Sequence, residues 1–293
     1  MAITSDARLD TAERTGIGLR LPHIAEVVAT RPHVGWLEIH PENFLANPHG
    51  LESLTDLARE YPVSVHTVGI SIGSADGIDR DHLIRLRGLV DRLNPVLVSG
   101  HLAWSTVGGA YLNDLLPLPY TVETLRVVVA HLAEVQDALG RAYVIENPSW
   151  YVSLATSTMT ELDFLHALVD ESGCRLLCDV SNVHLSGHNM GYDPYRFIDE
   201  FPSDSVAELH LGGFTPEHDD ATPGETVLVD THAHAVAEPA WQLYAHALRR
   251  FGPRPTIIEW DNDLPPLAVL IEEAAQADRI REATREDRHA HAG

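Results

Sequence analysis

The chain has 293 residues and a formal net charge of −23 at pH 7. Nucleic-acid binding depends on Lys and Arg side chains that neutralise phosphates, so this charge argues against DNA or RNA as a partner. A cationic peptide fits the charge better, and so does an enzyme with an acidic, solvated surface. The polar amino terminus has no apolar signal core, and no stretch is as long and apolar as a membrane span, so we expect a cytoplasmic protein.

Short apolar or β-branched runs recur along the chain, and each is followed by a pattern typical of an amphipathic helix. We predict strands at residues 16–20, 35–40, 63–66, 96–101, 142–146, 175–179, 206–210 and 256–259. Eight parallel strands can close a barrel, and such a barrel reaches this length without a second core. The sequence therefore predicts an α/β protein whose residues 1–293 form a single (β/α)8 TIM-barrel domain.

The helices between these strands are predicted from capping residues and from apolar spacing. Thr121 is expected to cap a helix that ends at Gly140, and Thr160 and Gly173 bracket the next one. The apolar stripe of the first helix is predicted to be Val122, Leu125, Val129, Leu132 and Leu139. Further helices are predicted at residues 51–61, 82–93, 239–251 and 265–277.

Both ends of the chain are expected to be frayed or flexible, over residues 1–14 and 279–293. The second of these segments is charged and lacks an apolar face, and we assign no role to its His289 and His291. The cysteines, Cys174 and Cys178, lie in an apolar run where alternating side chains face the same way. We predict buried thiols rather than a disulfide or a zinc pair.

Predicted strands 3 to 8 each end in a side chain that can bind a metal ion. These residues are His66, His101, Glu146, Asp179, His210 and Glu259. The carboxyl ends of the strands form the face on which barrel active sites are built. A single histidine at a strand end is usually a hydrogen-bonded structural residue, but a ring of carboxylates and imidazoles would carry a severe desolvation cost without a compensating cation. Arg20 is the one basic residue that ends a predicted strand, so we predict a metal centre, and ligands without thiolates suit iron, manganese or zinc.

The loop after the seventh predicted strand contains Asp230 and His232, which project to the same side if that stretch is extended. This pair is a candidate for a third metal site. The alternative is a turn in which Asp230 caps a local amide. We assign no role to the nearby His234.

The strand-end series, together with the segments Asp179-Val-Ser-Asn182 and Asp230-Thr-His232, resembles the ligand order of the xylose-isomerase-like barrels, which include the endonuclease IV family with its three-metal site. Within that superfamily the chain resembles the methanobactin-oxidase-type family of multinuclear non-heme iron-dependent oxidative enzymes. The segments that carry this resemblance span residues 16–260 and are GIGLR, LEIHPENF, VHTVGISIG, SGHLAW, IENPS, CDVSNVH, ELHLGG, VDTHAH and IEW.

This resemblance implies an iron ion held by His66, His101 and Glu146. It implies a second iron held by Glu146, Asp179, His210 and Glu259, with Glu146 as the bridge, and Glu146, Asp179 and His210 are the residues expected to be catalytic. A third, weaker site would include Asn182, Asp230 and His232. The endonuclease-like pattern has a histidine where this chain has Asn182, and an amide oxygen is a poorer ligand than imidazole; His184 is a weaker candidate for the same ion.

The resemblance also implies an activity. Enzymes of this kind use a mixed-valent Fe(II)/Fe(III) centre and dioxygen to oxidise cysteine residues in ribosomally synthesised precursor peptides, and several members work with a separate peptide-recognition protein. The sequence identifies neither the peptide nor the product, and it leaves the oligomeric state open.

Residues within or just beyond the strand ends are candidates for supporting the ligands or binding substrate. They are Arg20, Glu42, Asn43, Trp104 and Asn147. The alternative is that Asn43 and Asn147 satisfy turn amides and Trp104 packs a loop. The connections at residues 103–120 and 211–230 are long for this fold, and we expect them to line a peptide channel.

Two other functions remain open from the sequence. A divalent-metal hydrolase or a sugar isomerase could use the same barrel, although a sugar isomerase usually needs a lysine near its metals and no predicted strand ends in one. A metal-retaining binding module in a peptide-modifying complex is the non-enzymatic alternative.

Overall fold

The computed structural model describes residues 14–218 and 226–291. Its centre is a closed barrel of parallel strands in the order β1-β12-β9-β8-β7-β4-β3-β2. These strands are β1 (Gly16–Gly18), β2 (Leu37–Ile39), β3 (Val63–Thr67), β4 (Val98–His101), β7 (Val144–Glu146), β8 (Arg175–Asp179), β9 (Val206–Gly212) and β12 (Thr256–Glu259). The eight predicted strands are confirmed; β1, β2, β4 and β7 are shorter than the sequence pattern suggested, whereas β3 and β9 are longer.

Helices connect the barrel strands and cover the outside of the barrel. They are α1 (Ile24–Thr30), α2 (Glu42–Leu45), α3 (Pro48–Leu57), α4 (Arg80–Leu93), α5 (Val122–Leu139), α6 (Glu161–Ser172), α7 (Val180–Met190), α8 (Pro194–Glu200), α9 (Glu238–Phe251) and α10 (Leu267–His291). Within the described ranges, no helix combines the length and the apolar character that a membrane-spanning segment needs.

The predicted caps of α5 and α6 are confirmed. The side chain of Thr121 accepts a hydrogen bond from the amide of Thr124, and Gly140 ends α5 with a φ of 66°. Thr160 forms a reciprocal capping box with Asp163, and Gly173 ends α6, also with a φ of 66°. These positive φ angles suit glycine because it has no Cβ to clash with the following carbonyl.

The predicted apolar stripe of α5 needs a correction. Its buried residues are Leu125, Val128, Leu132, Val135 and Leu139. Val122 is 44% exposed because it occupies the first turn, where the helix has not yet reached the barrel wall. Val129 is only partly buried and lies at the edge of the core.

The carboxyl-terminal segment also differs from the expectation of a frayed end. Helix α10 continues to His291, and its residues Arg281 and Thr284 are buried. The guanidinium of Arg281 donates a hydrogen bond to Oγ1 of Thr15 beside β1. A polar contact therefore attaches this part of the helix to the barrel. The spacing of apolar residues in the sequence does not reveal such a contact. Residues 1–13 lie outside the described residues.

Two β-hairpins project from the carboxyl-terminal face of the barrel. The first pairs β5 (Trp104–Val107) with β6 (Ala110–Leu116), and the second pairs β10 (Phe214–His218) with β11 (Thr226–Asp230). They occupy the two long connections that the sequence indicated, although residues 219–225 lie outside the described part of the second one. The two cysteines are buried and free, as predicted.

The barrel interior is more polar than is usual for this fold, in which branched apolar side chains fill the layers. Glu38, Ser64, His66, Ser99 and Glu208 are all completely buried. The hydroxyl of Ser64 donates a hydrogen bond of 2.7 Å to Oε2 of Glu38. A layer of polar groups therefore lies directly beneath the ends of the strands.

Candidate metal centre

The barrel brings the predicted strand-end residues together at its carboxyl-terminal mouth. The strand register places His101 beside Glu146 and Asp179 beside His210. Glu146, Asp179 and His210 are at most 2% exposed. Because these side chains lie at or near the carboxyl ends of three neighbouring strands, their ligand atoms converge at the barrel mouth.

One group of converging ligands consists of His66, His101 and Glu146, whose candidate atoms all lie within 4.8 Å of one another. Nε2 of His66 and Nε2 of His101 are each 3.2 Å from Oε2 of Glu146. Nδ1 of His101 lies 3.2 Å from the carbonyl oxygen of Thr67, which can only accept a hydrogen bond. Nδ1 therefore carries the proton, and the lone pair of Nε2 faces the centre.

A second group consists of Glu146, Asp179, His210 and Glu259, again with candidate atoms within 4.8 Å. Nδ1 of His210 lies 3.0 Å from Oε2 of Glu259 and 4.0 Å from Oε1 of Glu146. Glu146 thus directs Oε2 toward the first group and Oε1 toward the second. This is the geometry required of a carboxylate that bridges two ions.

Burial sets the protonation of these groups in the metal-free protein. It raises the pKa of Glu146 to about 7, and burial together with the neighbouring Glu146 raises the pKa of Asp179 to about 7. It lowers the pKa of His66 and of His101 to about 4. The imidazoles of His66 and His101 are therefore neutral at physiological pH, as metal binding requires. A cation that binds to Glu146 and Asp179 can replace the protons that these carboxyl groups hold.

Several buried polar atoms around this centre lack a hydrogen-bond partner. They include Oε2 of Glu146, Oδ2 of Asp179, Oδ1 of Asn182 and Nε2 of His232. Buried polar atoms are normally satisfied, so an unsatisfied set that converges on one place calls for an explanation. All four are oxygen or nitrogen donors that suit iron, manganese or zinc, and the residues therefore fit a metal centre.

The proposed third-site residues line one cavity of about 190 Å³ together with Glu146 and Glu259. Nδ2 of Asn182 donates to the carbonyl of Asn147, which leaves Oδ1 as the free ligand atom. Oδ1 of Asp230 lies 2.8 Å from Nε2 of His232.

The opposite nitrogen of His232 faces a different pair of carboxylates. His232, Glu259 and Asp261 form a further converging group, and Nδ1 of His232 is 3.1 Å from Oδ2 of Asp261. A third ion could therefore use Nε2 with Asp230 and Asn182, or Nδ1 with Asp261 and Glu259.

Other candidates from the sequence are placed away from the converging ligands. The ring of His184 packs against Phe214, with the ring centroids 5.5 Å apart, and it belongs to none of the converging groups found among the described residues. His234 is exposed, in agreement with the absence of an assigned role.

Three of the proposed substrate residues already have hydrogen-bond or ion-pair partners within the protein. Arg20 is buried and forms ion pairs with Glu259 and Asp261, so it connects ligands of neighbouring sites. Asn147 uses its side-chain amide to bind the backbone amide and carbonyl of Asp179. Nε1 of Trp104 donates to the carbonyl of Pro117 within the β5–β6 hairpin.

Asn43 is exposed and lines a separate cavity, together with Glu42. Asn147 and Trp104 therefore match the packing and turn-satisfying alternatives. Contact with a substrate stays a prediction for all of the substrate candidates.

Sequence reasoning missed four titratable residues of this centre: Glu38, His40, Glu208 and Asp261. His40 is the last residue of the predicted strand 35–40 and follows β2 directly, so the strand-end criterion already included it. Asp261 lies two residues after β12 and would have been found by extending that criterion by two positions. Glu38 and Glu208 lie inside strands, where a single charged residue is normally interpreted as facing solvent. Nε2 of His210 lies 3.1 Å from Oε1 of Glu38.

A closed parallel barrel with this ring of ligands defines a xylose-isomerase-like TIM barrel. An L-ribulose 3-epimerase superimposes with a TM-score of 0.64 at 14% identity, covering 96% of this chain and 98% of that chain. A xylose isomerase-like TIM barrel protein from Mycobacterium smegmatis, in complex with magnesium, gives a TM-score of 0.60 at 14% identity, covering 89% and 88%. At this identity the similarity shows the fold alone.

The sequence identifies the family within that fold. The model of the family described as "RiPP precursor modification enzyme MbnB/TglH/ChrH" matches residues 14–282, and the chain belongs to this family. A UPF0276 protein from Vibrio vulnificus is 46% identical over 270 residues, which cover 92% of each chain. A UPF0276 protein from Chromobacterium violaceum is 45% identical over 265 residues, covering 90% of this chain and 94% of the relative. The family resemblance seen in the sequence is thereby confirmed.

Proposed function

We propose that this protein is an iron- and dioxygen-dependent oxidase that modifies cysteine residues of a ribosomally synthesised precursor peptide. The observation that carries the proposal is the position of Glu146, whose two carboxylate oxygens face two separate groups of ligands. Membership of a family of precursor-modifying enzymes supplies the class of substrate.

The donor set favours iron over a softer metal. The converging groups consist of imidazole and carboxylate, and the two cysteines are buried free thiols outside all of them. Burial raises the pKa of Cys174 to about 11, so this thiol is not available as a thiolate ligand near neutral pH. Nitrogen and oxygen donors with a shared carboxylate suit non-heme iron, and iron would supply electron transfer to dioxygen when bound.

The residues of this chain would hold and orient such a centre. The carbonyl of Thr67 fixes the ring of His101, and the hydroxyl of Ser99 lies 2.8 Å from Nδ1 of His66. Asp179 presents Oδ2 to the centre while its Oδ1 accepts the amide hydrogen of Asn182 at the start of α7. These contacts keep the ligand atoms in place before a metal arrives, which lowers the entropic cost of assembling the site.

Access to the centre is through the cavity at the barrel mouth. Its wall includes Leu115 of the β5–β6 hairpin and Thr231 next to the β10–β11 hairpin. A peptide lying between the hairpins could direct a cysteine side chain downward to the ligands, while the narrow space limits entry of water. We further propose that a third, weaker ion occupies the site around Asn182, and that a separate protein assists peptide recognition.

The competing function is metal-dependent hydrolysis or sugar isomerisation, which the epimerase-like fold permits. The sequence contains no lysine, whereas sugar isomerases of this architecture usually place one near their metals. This difference favours the oxidase.

The proposal is tested by loading the protein with Fe(II) without oxygen, adding a cysteine-containing peptide encoded beside its gene, and admitting air. We expect dioxygen uptake and a mass change confined to cysteine. Zinc-loaded protein is the control. Stoichiometric zinc as purified, with no iron and no dioxygen uptake after iron loading, would contradict the oxidase function.

A further inference from the structure

A second cavity, of about 660 Å³, lies beside the metal centre, and we call it the side cavity. Its wall includes Glu42 at the start of α2, the loop before α4, and the β5–β6 hairpin. Val68 lines both this cavity and the cavity of the metal centre. The two spaces are therefore neighbours, separated by the residues that follow β3.

Strand β6 extends along both cavities. Tyr111 and Asn113 line the side cavity, whereas Leu115 lines the metal cavity. Pairing with β5 changes register between Tyr111 and Leu116, so β6 is irregular here, but its residues still extend from one cavity to the other. Because an extended strand rises roughly 3.3 Å per residue, Tyr111 and Leu115 are at most about 13 Å apart along the strand, which is within the length of about four residues of an extended peptide.

The side cavity is acidic. Its wall carries the carboxylates of Glu42, Asp76 and Asp79, and its described lining includes no arginine. Asp79 caps α4, and Asp76 accepts a hydrogen bond from the amide of Gly108 in the hairpin, so both have structural partners. Of these three carboxylates, Glu42 is the one with a buried oxygen atom that lacks a hydrogen-bond partner.

Glu42 is held in place without being fully satisfied. Its Oε1 accepts a 2.9 Å hydrogen bond from the amide of Gly69 and lies 3.2 Å from Nε2 of His82, while its buried Oε2 has no hydrogen-bond partner. Although burial opposes ionisation, His82 and the backbone amides hold the pKa of Glu42 below its usual value. His82 also lines the cavity, is only 8% exposed, and has no hydrogen-bond partner at Nε2.

The approach to Glu42 depends on the glycine at position 69. A Cβ atom there would lie 2.9 Å from Oε1 of Glu42 and 3.2 Å from Nε2 of His82. Glycine therefore lets the backbone amide reach the carboxylate, which stays at a fixed position in the cavity wall.

We propose that the side cavity is a specificity subsite that binds an arginine or lysine side chain of the precursor peptide, within about four residues of the cysteine that enters the metal cavity. Glu42 receives the cationic group, and Tyr111, which is 53% exposed, covers its aliphatic stem. This proposal depends on the proposed function, because it assumes a peptide substrate. It adds that the peptide carries a positively charged side chain. The strongly acidic chain, with a net charge of −23, favours the approach of such a peptide.

Binding of defined peptides to the iron-loaded protein without oxygen tests the subsite. The probes are fluorescein-labelled peptides of about eleven residues, composed of Gly and Ser around a central cysteine. Each probe has one arginine three or four positions before or after the cysteine. Its control is the same peptide with glutamine in place of the arginine. We expect one arginine peptide to bind about tenfold more tightly than its glutamine partner. Glu42→Gln should abolish this preference, whereas Glu171→Gln, an equal charge change on the exposed surface of α6, should keep it.

The subsite is overturned if arginine and glutamine peptides bind equally at every position, if none binds measurably, or if Glu42→Gln retains the preference. Failure of the proposed function would give a different experimental result from failure of the subsite. An arginine preference without dioxygen-dependent mass change would contradict the oxidase and support the subsite, whereas cysteine oxidation without any charge preference would support the oxidase and contradict the subsite.

Discussion

Oε1 of Glu38 lies 3.1 Å from Nε2 of His210, on the side of the ring opposite to the candidate metal ligands. Nδ1 of the same ring faces Glu259 at 3.0 Å. Although burial opposes it, Glu38 and Glu259 hold the pKa of His210 well above its usual value in the metal-free protein. When a cation replaces the proton at Nδ1, Glu38 can accept the remaining N–H and fix the orientation of the ring.

We therefore predict that Glu38→Ala weakens metal binding to the site of His210 by roughly 10- to 100-fold, the usual effect of removing a carboxylate behind a ligating histidine. The measurement is a competitive titration of the apoprotein with a metal-binding dye. The control is Glu171→Ala, which removes a carboxylate from the exposed surface of α6; Glu208 is unsuitable because its Oε1 lies 3.5 Å from the same Nε2 of His210. Equal losses in the two variants would contradict an orienting role for Glu38.

The third ion is expected to depend on Asn182. Its Nδ2 atom is occupied by the carbonyl of Asn147, and its free Oδ1 lines the metal cavity. Asn182→Ala should remove the weakest ion and leave the pair that shares Glu146, as counted by elemental analysis after dialysis. Loss of that ion in Asp261→Asn but not in Asn182→Ala would instead show that the ion uses Nδ1 of His232.

The stability of the metal-free protein is predicted to fall between pH 6.5 and about 8. The folded-state pKa is about 7 for Glu146 and Asp179, about 8 for Glu208, and well above the usual value for His210 and His232. In this window the folded protein retains protons that the unfolded chain has released, so raising the pH favours unfolding. His66 and His101, with pKa values of about 4, are neutral in the folded protein. Their imidazoles still carry some protons in the unfolded chain near pH 6.5, so they oppose the fall in stability only at the lower end of the window.

Urea unfolding in the presence of a chelator measures this pH dependence. The metal-loaded protein is the control and should not lose stability over the same range, because bound ions take the place of the protons. A metal-free protein whose unfolding free energy rises from pH 6.5 to pH 8 would show that the centre does not hold these protons.

The fold and the convergence of the six candidate ligands could be predicted because an apolar run stops at one polar side chain at the end of each of the predicted strands 3 to 8. His66, His101 and Glu146 were visible for this reason. The periodicity of α5 predicted a helix but placed Val122 on the buried face, because spacing alone does not show where a helix first meets the barrel. Arg281 and Asp278 attach α10 to the barrel through hydrogen bonds with Thr15, which the apolar pattern does not record.

The polar layer beneath the metal centre could not be predicted in the same way. Glu38 and Glu208 lie within strands β2 and β9. Only the closed barrel shows that their side chains are buried inside it rather than exposed to solvent. Similarly, the role of Arg20 as a connection between Glu259 and Asp261 depends on contacts across more than 200 positions of sequence. Such long-range pairs arise from barrel closure and leave no local pattern.

The bridging role of Glu146 is the central claim, and Mössbauer spectroscopy of the protein loaded with ⁵⁷Fe tests it most directly. The wild-type protein should show magnetically coupled iron, because one carboxylate joins two ions. Glu146→Gln should lose the coupling and most of the iron, along with dioxygen uptake. A Glu146→Gln protein that keeps coupled iron and full activity would contradict the account.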